Sequence, residues 1–151
     1  MNKNFKQKLV TCVVMLMLVM CNVVNVAAAS VSFDKAYVNG GSYSYITKIN
    51  KATSFKYVEL SITTMYTTNN KKAAYRKSKA QLRGWDAKEG EYVRCTISDD
   101  YGKTVKKGTT AKFKLLKDYQ KKGKTIKYYA KGNDPDKDCK ITGKMWVDQE
   151  N

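Results

Sequence analysis

The stretch CKITGKMWVD, residues 139–148, alternates small or apolar side chains with larger and polar ones along its whole length. One row of this alternation consists of Cys139, Ile141, Gly143, Met145 and Val147. Successive side chains of a β-strand point to opposite faces, so this row predicts a strand with one buried side.

The same period of two recurs in four other stretches, at residues 55–67, 91–98, 110–117 and 125–132. The expected inward rows are Val58, Leu60 and Ile62; Val93, Cys95 and Ile97; Ala111, Phe113 and Leu115; and Ile126, Tyr128 and Ala130. Turn-forming segments rich in Gly, Asn, Asp and Lys separate these runs. The pattern predicts an all-β fold: one antiparallel β-sandwich or partly open barrel of about six to eight strands.

The stretch KKAAYRKSKAQLRGWD, residues 71–86, is ambiguous. Ala, Lys, Arg and Gln favour a helix, and Tyr75 and Leu82 lie on one helical stripe. Ser78, Ala80 and Leu82 fit the inward row of a strand equally well. We favour a sixth core strand that ends in a corner at Gly84 and Trp85.

The N-terminal residues 1–29 have the composition of a helical secretory signal peptide. Three lysines precede the uncharged apolar run LVTCVVMLMLVMC, and AAA ends at Ala29, where we place the cleavage site. A membrane anchor would need about 20 apolar residues, and Asn22 interrupts the run first. A lipoprotein acylated at Cys21 is a further alternative, which the bulky Met20 disfavours. We therefore expect a secreted β-domain at 30–151, with no membrane-spanning segment after cleavage.

Removal of the signal peptide would leave 26 of the 29 basic residues and all 13 acids, a net charge of +13. It would also leave two of the four cysteines, Cys95 and Cys139. Disulfides persist in exported proteins, so we expect these two to pair, the alternative being two buried thiols.

Three aspartates, Asp134, Asp136 and Asp138, lie close together just before the strand at 139–148. In a calcium-loop register that starts at Asp134, Cys139 would replace the turn glycine and Met145 the bidentate glutamate. Asp and Pro are ordinary turn residues, so we interpret the cluster as a turn and expect no metal site.

The side chains available for catalysis are few. The sequence has no histidine, which removes imidazole bases and metal ligands. Ser32 and Lys35 have the spacing of a Ser-x-x-Lys motif but lie in strand-like sequence, and the companion motifs are absent. Carboxylates that could serve a glycosidase lie in predicted turns, and glycine-rich phosphate loops are missing. We expect a protein that is not an enzyme and uses no cofactor.

The basic residues are concentrated in two segments. Residues 101–131 carry eleven lysines and one acid, and residues 71–83 carry six bases and no acid. If 110–117 and 125–132 form a hairpin, their outer rows create one cationic face, because like charges meet across the strands. The predicted polyanion-binding residues are Lys112, Lys114, Lys127, Tyr129 and Lys131, together with Arg76 and Lys77.

A lysine-rich face has two interpretations. It can bind a polyanion, or it can keep the protein soluble and protect sheet edges. For an exported protein the nearest polyanions are wall polymers and the membrane surface. Lysine outnumbers arginine 23 to 3 after residue 29, which disfavours sequence-specific recognition of nucleic acid.

Three function classes remain open. The first is a secreted, non-catalytic domain that associates with anionic cell-envelope or extracellular polymers. The second is a secreted antimicrobial or bacteriocin-like protein, although no long amphipathic helix supports it. The third is a ligand or inhibitor of an acidic protein partner.

Overall fold

A computed structural model describes residues 29–51, 54–69 and 77–147. Its nine described strands, β1 to β9 in chain order, are Ser30–Val38, Ser44–Asn50, Tyr57–Thr67, Lys77–Asp86, Glu91–Arg94, Lys103–Lys106, Thr110–Lys114, Thr125–Gly132 and Cys139–Val147. Two single-turn 3-10 helices, Ser98–Asp100 and Lys117–Tyr119, lie in the connections. The predicted all-β class is confirmed. The predicted signal peptide lies outside the described residues.

The strands form two antiparallel sheets that do not close into a barrel. The four-stranded sheet has the order β1-β9-β3-β7. The five-stranded sheet has the order β2-β8-β4-β5, and β6 also pairs with β4. Buried apolar side chains from both sheets belong to one core, in which the rings of Phe33 and Tyr128 contact each other. No helix in the described ranges is long and apolar enough to cross a membrane.

The alternation at 139–147 matches the burial of β9. The five residues of its predicted inward row are all buried, while Thr142 and Trp146 between them are partly exposed. The strand lies between β1 and β3, so both its edges are paired. At Gly143 a β-carbon would lie 2.1 Å from the carbonyl oxygen of Ser61 and 2.7 Å from the ring of Phe33. Only a residue without a side chain fits there.

The inward rows of β7 and β8 also agree with the prediction. The ambiguous stretch forms strand β4 over Lys77–Asp86, with Ser78, Ala80 and Leu82 buried. The strand predicted at 91–98 ends at Arg94, and Thr96, expected outward, is buried. In β3 a bulge lies between Ile62 and Thr64. As a result Met65 is buried, and Thr64, the next residue in the alternation, is not.

The structure contains more strands than the predicted number, because β2 and β6 were not recognised and β1 was noted only as strand-like sequence around Ser32. In β1 the register shifts between Phe33 and Ala36, where Lys35 has a positive φ of 44°. In β2 it shifts between Tyr45 and Thr47. Each bulge adds a residue and breaks the period of two on which the prediction depends. Strand β6 has only four residues, too few for a clear alternation.

The predicted disulfide is wrong: in the described part of the chain both Cys95 and Cys139 are buried thiols, and no bond joins them. Cys139 pairs with Thr67 at the end of β3. The carbonyl oxygen of Cys95 accepts a hydrogen bond from the backbone nitrogen of Leu116, two residues after Lys114, which pairs with Tyr57 at the start of β3. A strand as long as β3 spans about 30 Å at about 3.3 Å per residue. A disulfide requires Cα atoms within about 7 Å. Cys139 and Cys95 lie near opposite ends of β3, so a disulfide cannot join them.

Candidate cationic face

The outer side of the five-stranded sheet carries a group of cations and aromatic rings. Ile126, Tyr128 and Ala130 of β8 are buried in the core, so the residues between them face outward. The same alternation turns Lys79, Arg83 and Trp85 of β4 to that side. We define the cationic–aromatic face as Tyr45 and Lys48 of β2, Lys127, Tyr129 and Lys131 of β8, Lys79, Arg83 and Trp85 of β4, and Tyr92 and Arg94 of β5.

Strand register brings the cations of this face side by side. Lys131 is directly opposite Lys79, and Lys127 is directly opposite Arg83. Lys127 also pairs with Lys48 on its other side, and Arg83 with Arg94. Like charges at these positions repel one another, which destabilises the sheet unless another group compensates.

Aromatic rings provide part of that compensation. The Nζ atom of Lys127 lies 3.5 Å from the centroid of the Tyr92 ring and 5.8 Å from that of Tyr45. The guanidinium carbon of Arg83 lies 4.6 Å from the centroid of Tyr129. Each such cation–π contact contributes about 0.5–1 kcal/mol at an exposed site. The contacts hold the cations in place without neutralising their charge.

Carboxylates are absent from the described strands of this face except at one end. Asp86 and Glu91 pair with each other where β4 turns into β5. Asp86 accepts a hydrogen bond from the backbone nitrogen of Lys88 in that turn. Among the described residues, no carboxylate forms an ion pair with Lys127, Lys131 or Arg83. The positive field of the face is therefore unopposed across β8 and most of β4.

The predicted hairpin between 110–117 and 125–132 is wrong. β7 belongs to the four-stranded sheet and pairs with β3, whereas β8 belongs to the five-stranded sheet. The 3-10 helix at Lys117–Tyr119 lies between them, and buried Tyr119 anchors this crossing in the core. Lys112 and Lys114 are consequently on the opposite side of the molecule from Lys127, Tyr129 and Lys131.

The two β7 lysines also have acidic neighbours. Lys112 Nζ lies 4.0 Å from Glu59 Oε1 and 4.3 Å from the centroid of the Tyr57 ring. The backbone nitrogen of Lys114 donates to Asp100 Oδ2 at 2.6 Å. Of the other predicted residues, Lys77 is exposed at the start of β4, and Arg76 lies outside the described residues. The predicted site is thus divided: Lys127, Tyr129 and Lys131 lie on the cationic–aromatic face, Lys77 lies on the same outward row of β4 as Lys79, and the two β7 lysines lie on the other sheet.

The prediction missed seven members of the face that the structure adds: Tyr45, Lys48, Lys79, Arg83, Trp85, Tyr92 and Arg94. The outward row of β4 was visible in the sequence as Lys79, Gln81, Arg83 and Trp85 once the stretch is taken as a strand. The pairing of β4 with β8 was not deducible, because alternation within a strand does not identify the strand it pairs with.

The aspartate cluster forms a turn, as interpreted. Asp138 accepts hydrogen bonds from the hydroxyl of Tyr37 and from the backbone nitrogen of Gly40. These bonds lower the pKa of Asp138, and the bond to Asp138 raises the pKa of Tyr37. Lys137 Nζ lies 2.8 Å from Asp134 Oδ2. Two of the three carboxylates therefore serve the connection between β8 and β9 and its contact with the β1–β2 turn.

Buried titratable groups lie near one end of the five-stranded sheet. Lys51, which follows β2, is 2% exposed, and its Nζ donates to the carbonyl oxygens of Phe55 at 2.9 Å and Tyr119 at 2.6 Å. Burial lowers the pKa of Lys51 to about 8. Burial raises the pKa of Cys95 to about 12, so its thiol is protonated and a poor nucleophile near neutral pH.

Comparison with known proteins provides no relative from which a role could be transferred. No protein-family model matches the chain, and no curated protein matches it significantly. The role of the protein is therefore inferred from the geometry of the face itself.

Proposed function

We propose that this protein is a secreted, non-catalytic β-domain that associates with anionic polymer of the cell envelope through the cationic–aromatic face. The observation that carries the proposal is the row of cations on β8 and β4, which lie opposite one another and have no carboxylate partner in the described part of the chain. The cationic–aromatic face holds six bases and no acid, and the two acids in its strands, Asp86 and Glu91, lie at the β4–β5 turn. A bound polyanion would relieve the repulsion between the cations of the face.

The chemistry of the chain supports association without catalysis. The sequence contains no histidine, and the thiol of Cys95 is buried and, because burial raises its pKa, protonated. Rigid strands, in contrast, suit a charged surface that must present several cations in fixed positions. Export rests on the composition of residues 1–29 and remains part of the proposal.

The test is co-sedimentation of the purified protein with insoluble bacterial cell walls. Matched walls from which the anionic polymers have been extracted serve as the control. We expect retention on intact walls at low salt, little retention on extracted walls, and at least about tenfold weaker binding between about 50 and about 200 mM salt, because several counterions are released. Equal retention on both wall preparations, or retention that salt does not change, would contradict the proposal.

A further inference from the structure

The exposed aromatic residues of the cationic–aromatic face form a row across its strands. The described residues have three large apolar side chains that are strongly exposed, and two of them, Tyr45 at 50% and Trp85 at 44%, belong to this face. Exposed aromatic rings are costly for a soluble surface, and a concentration of them on one face indicates a binding role.

The two rings are linked by a chain of contacts. The Tyr45 and Tyr129 ring centroids are 5.7 Å apart, and those of Trp85 and Tyr92 are 5.3 Å apart. Lys127 joins the two pairs, because its Nζ approaches both the Tyr45 and the Tyr92 ring. The row crosses β2, β8, β4 and β5, three strand spacings or about 14 Å. It can therefore contact more than one unit of a polymer.

We propose that the polymer bound here is an anionic glycan, whose sugar rings pack on Tyr45 and Trp85 while its acidic groups pair with Lys127 and Arg83. This inference rests on the proposed function and specifies its ligand. A sugar ring presents an apolar C–H face that suits an exposed aromatic side chain, and hydroxyl groups around its rim stay in water. A polyanion without rings would leave the two exposed aromatic side chains unused.

Ring geometry favours a glycan over single-stranded nucleic acid. Within both pairs the ring planes are inclined at 66°, an edge-to-face arrangement. Such rings do not form parallel-walled slots that hold a base between two aromatic faces.

The test compares two carboxylate polymers that differ in whether their units contain a ring. Polygalacturonate has one carboxylate on each sugar ring, and polyglutamate has one carboxylate on each unit and no ring. Both are titrated into the purified protein at low salt. We expect the protein to bind polygalacturonate at least about tenfold more tightly, since aromatic packing adds to the charge interaction.

Variants separate the rings from the charges. Tyr45→Leu with Trp85→Leu should weaken polygalacturonate binding about tenfold and change polyglutamate binding less than about twofold. Each single variant should have part of this effect, and Tyr37→Leu, at the third exposed aromatic residue, should have none on either polymer. Thermal unfolding of each variant confirms that it is folded.

The outcomes are distinguishable. Equal affinity for the two polymers, with no effect of the aromatic variants, would overturn the glycan inference while polyanion association stands. Absence of binding to both polymers at low salt would overturn the proposed function as well. Tighter binding of single-stranded poly-deoxythymidylate than of polygalacturonate would assign the face to nucleic acid instead.

Discussion

The two sheets share a core but differ in the residues they expose and bury. The outer side of the four-stranded sheet is rich in Ser and Thr, and Lys112 on this side lies 4.0 Å from the carboxylate of Glu59. The outer side of the five-stranded sheet has cations and aromatic rings, and no carboxylate among the described residues pairs with its central cations Lys127, Lys131 and Arg83. The buried polar residues of the described chain are Lys51, Ser78, Gln81, Thr96 and Asp100, and none lies in a strand of the four-stranded sheet.

This difference suggests a division of roles. The four-stranded sheet, with purely apolar buried residues in its strands, supplies hydrophobic stabilisation at little electrostatic cost. The five-stranded sheet holds like charges and buried polar groups, which lower its contribution to stability. Sites built on such strained arrangements are typical of ligand-binding surfaces.

The largest expected effect compares one glycine in each sheet. Gly143→Ala should lower the free energy of unfolding by about 3 kcal/mol or more, because the new methyl group meets the backbone of β3. Gly84→Ala, whose β-carbon would lie 2.3 Å from the Tyr119 ring, should cost about 1–2 kcal/mol, because a side chain can move aside. Urea unfolding measures both. A larger cost at Gly84 would contradict this division of roles between the two sheets.

The second prediction removes two lysines from each sheet. Lys127→Gln with Lys131→Gln should weaken binding to anionic polymer at least about tenfold, or about 1.4 kcal/mol. Lys112→Gln with Lys114→Gln removes the same charge from β7 and should change binding less than about threefold, because only long-range screened attraction is lost. Titration at low salt measures both pairs. Equal losses would show that net charge alone governs association.

The third prediction concerns the buried lysine beside the five-stranded sheet. The pKa of Lys51 is about 8 when folded and about 10.5 when unfolded, so between these values the unfolded state binds more protons. Stability should therefore rise by about 1 kcal/mol from pH 7 to pH 9, after a small opposing contribution from ionisation of Cys95 in the unfolded state.

Replacing Lys51 with methionine provides the control for this pH dependence. The Lys51→Met variant should lose the rise and become less stable as the pH increases to 9, because only the Cys95 contribution remains. A rise of the same size in the variant would assign the effect to another group.

The smallest expected effect concerns Tyr128, whose hydroxyl is buried and has no hydrogen-bond partner among the described residues. Burial raises its pKa strongly. Tyr128→Phe removes an unsatisfied polar group while keeping the ring contact with Phe33, so stability should be unchanged or rise by about 1 kcal/mol. A loss of more than about 1 kcal/mol in urea unfolding would indicate that the hydroxyl makes a stabilising bond.

Local alternation predicted the fold class and the buried rows of β7, β8 and β9, because the period of a strand is written in adjacent residues. It failed at β1 and β2, because bulges shift the phase of the alternation. It also wrongly paired β7 with β8, because the 3-10 helix between them leads the chain to the other sheet. The disulfide prediction failed for a related reason. An inward position does not reveal which strands a cysteine lies beside, and therefore not which end of the core it faces.

The candidate site was predicted in part for the same reason. Lys127, Tyr129 and Lys131 lie on one strand and follow from its alternation. Arg83 and Tyr45 reach the same face only through pairing between strands far apart in sequence. Such long-range register depends on the packing of the whole core.

The most direct test of the account maps where an anionic polymer contacts the folded protein. Amide chemical shifts of the isotope-labelled protein are followed while polygalacturonate is added at low salt. The account predicts progressive changes in β2, β4, β5 and β8, with the largest near Lys127 and Tyr45, and little change in β3, β7 and β9. Changes centred on Lys112 and Lys114, or spread evenly over both sheets, would contradict it.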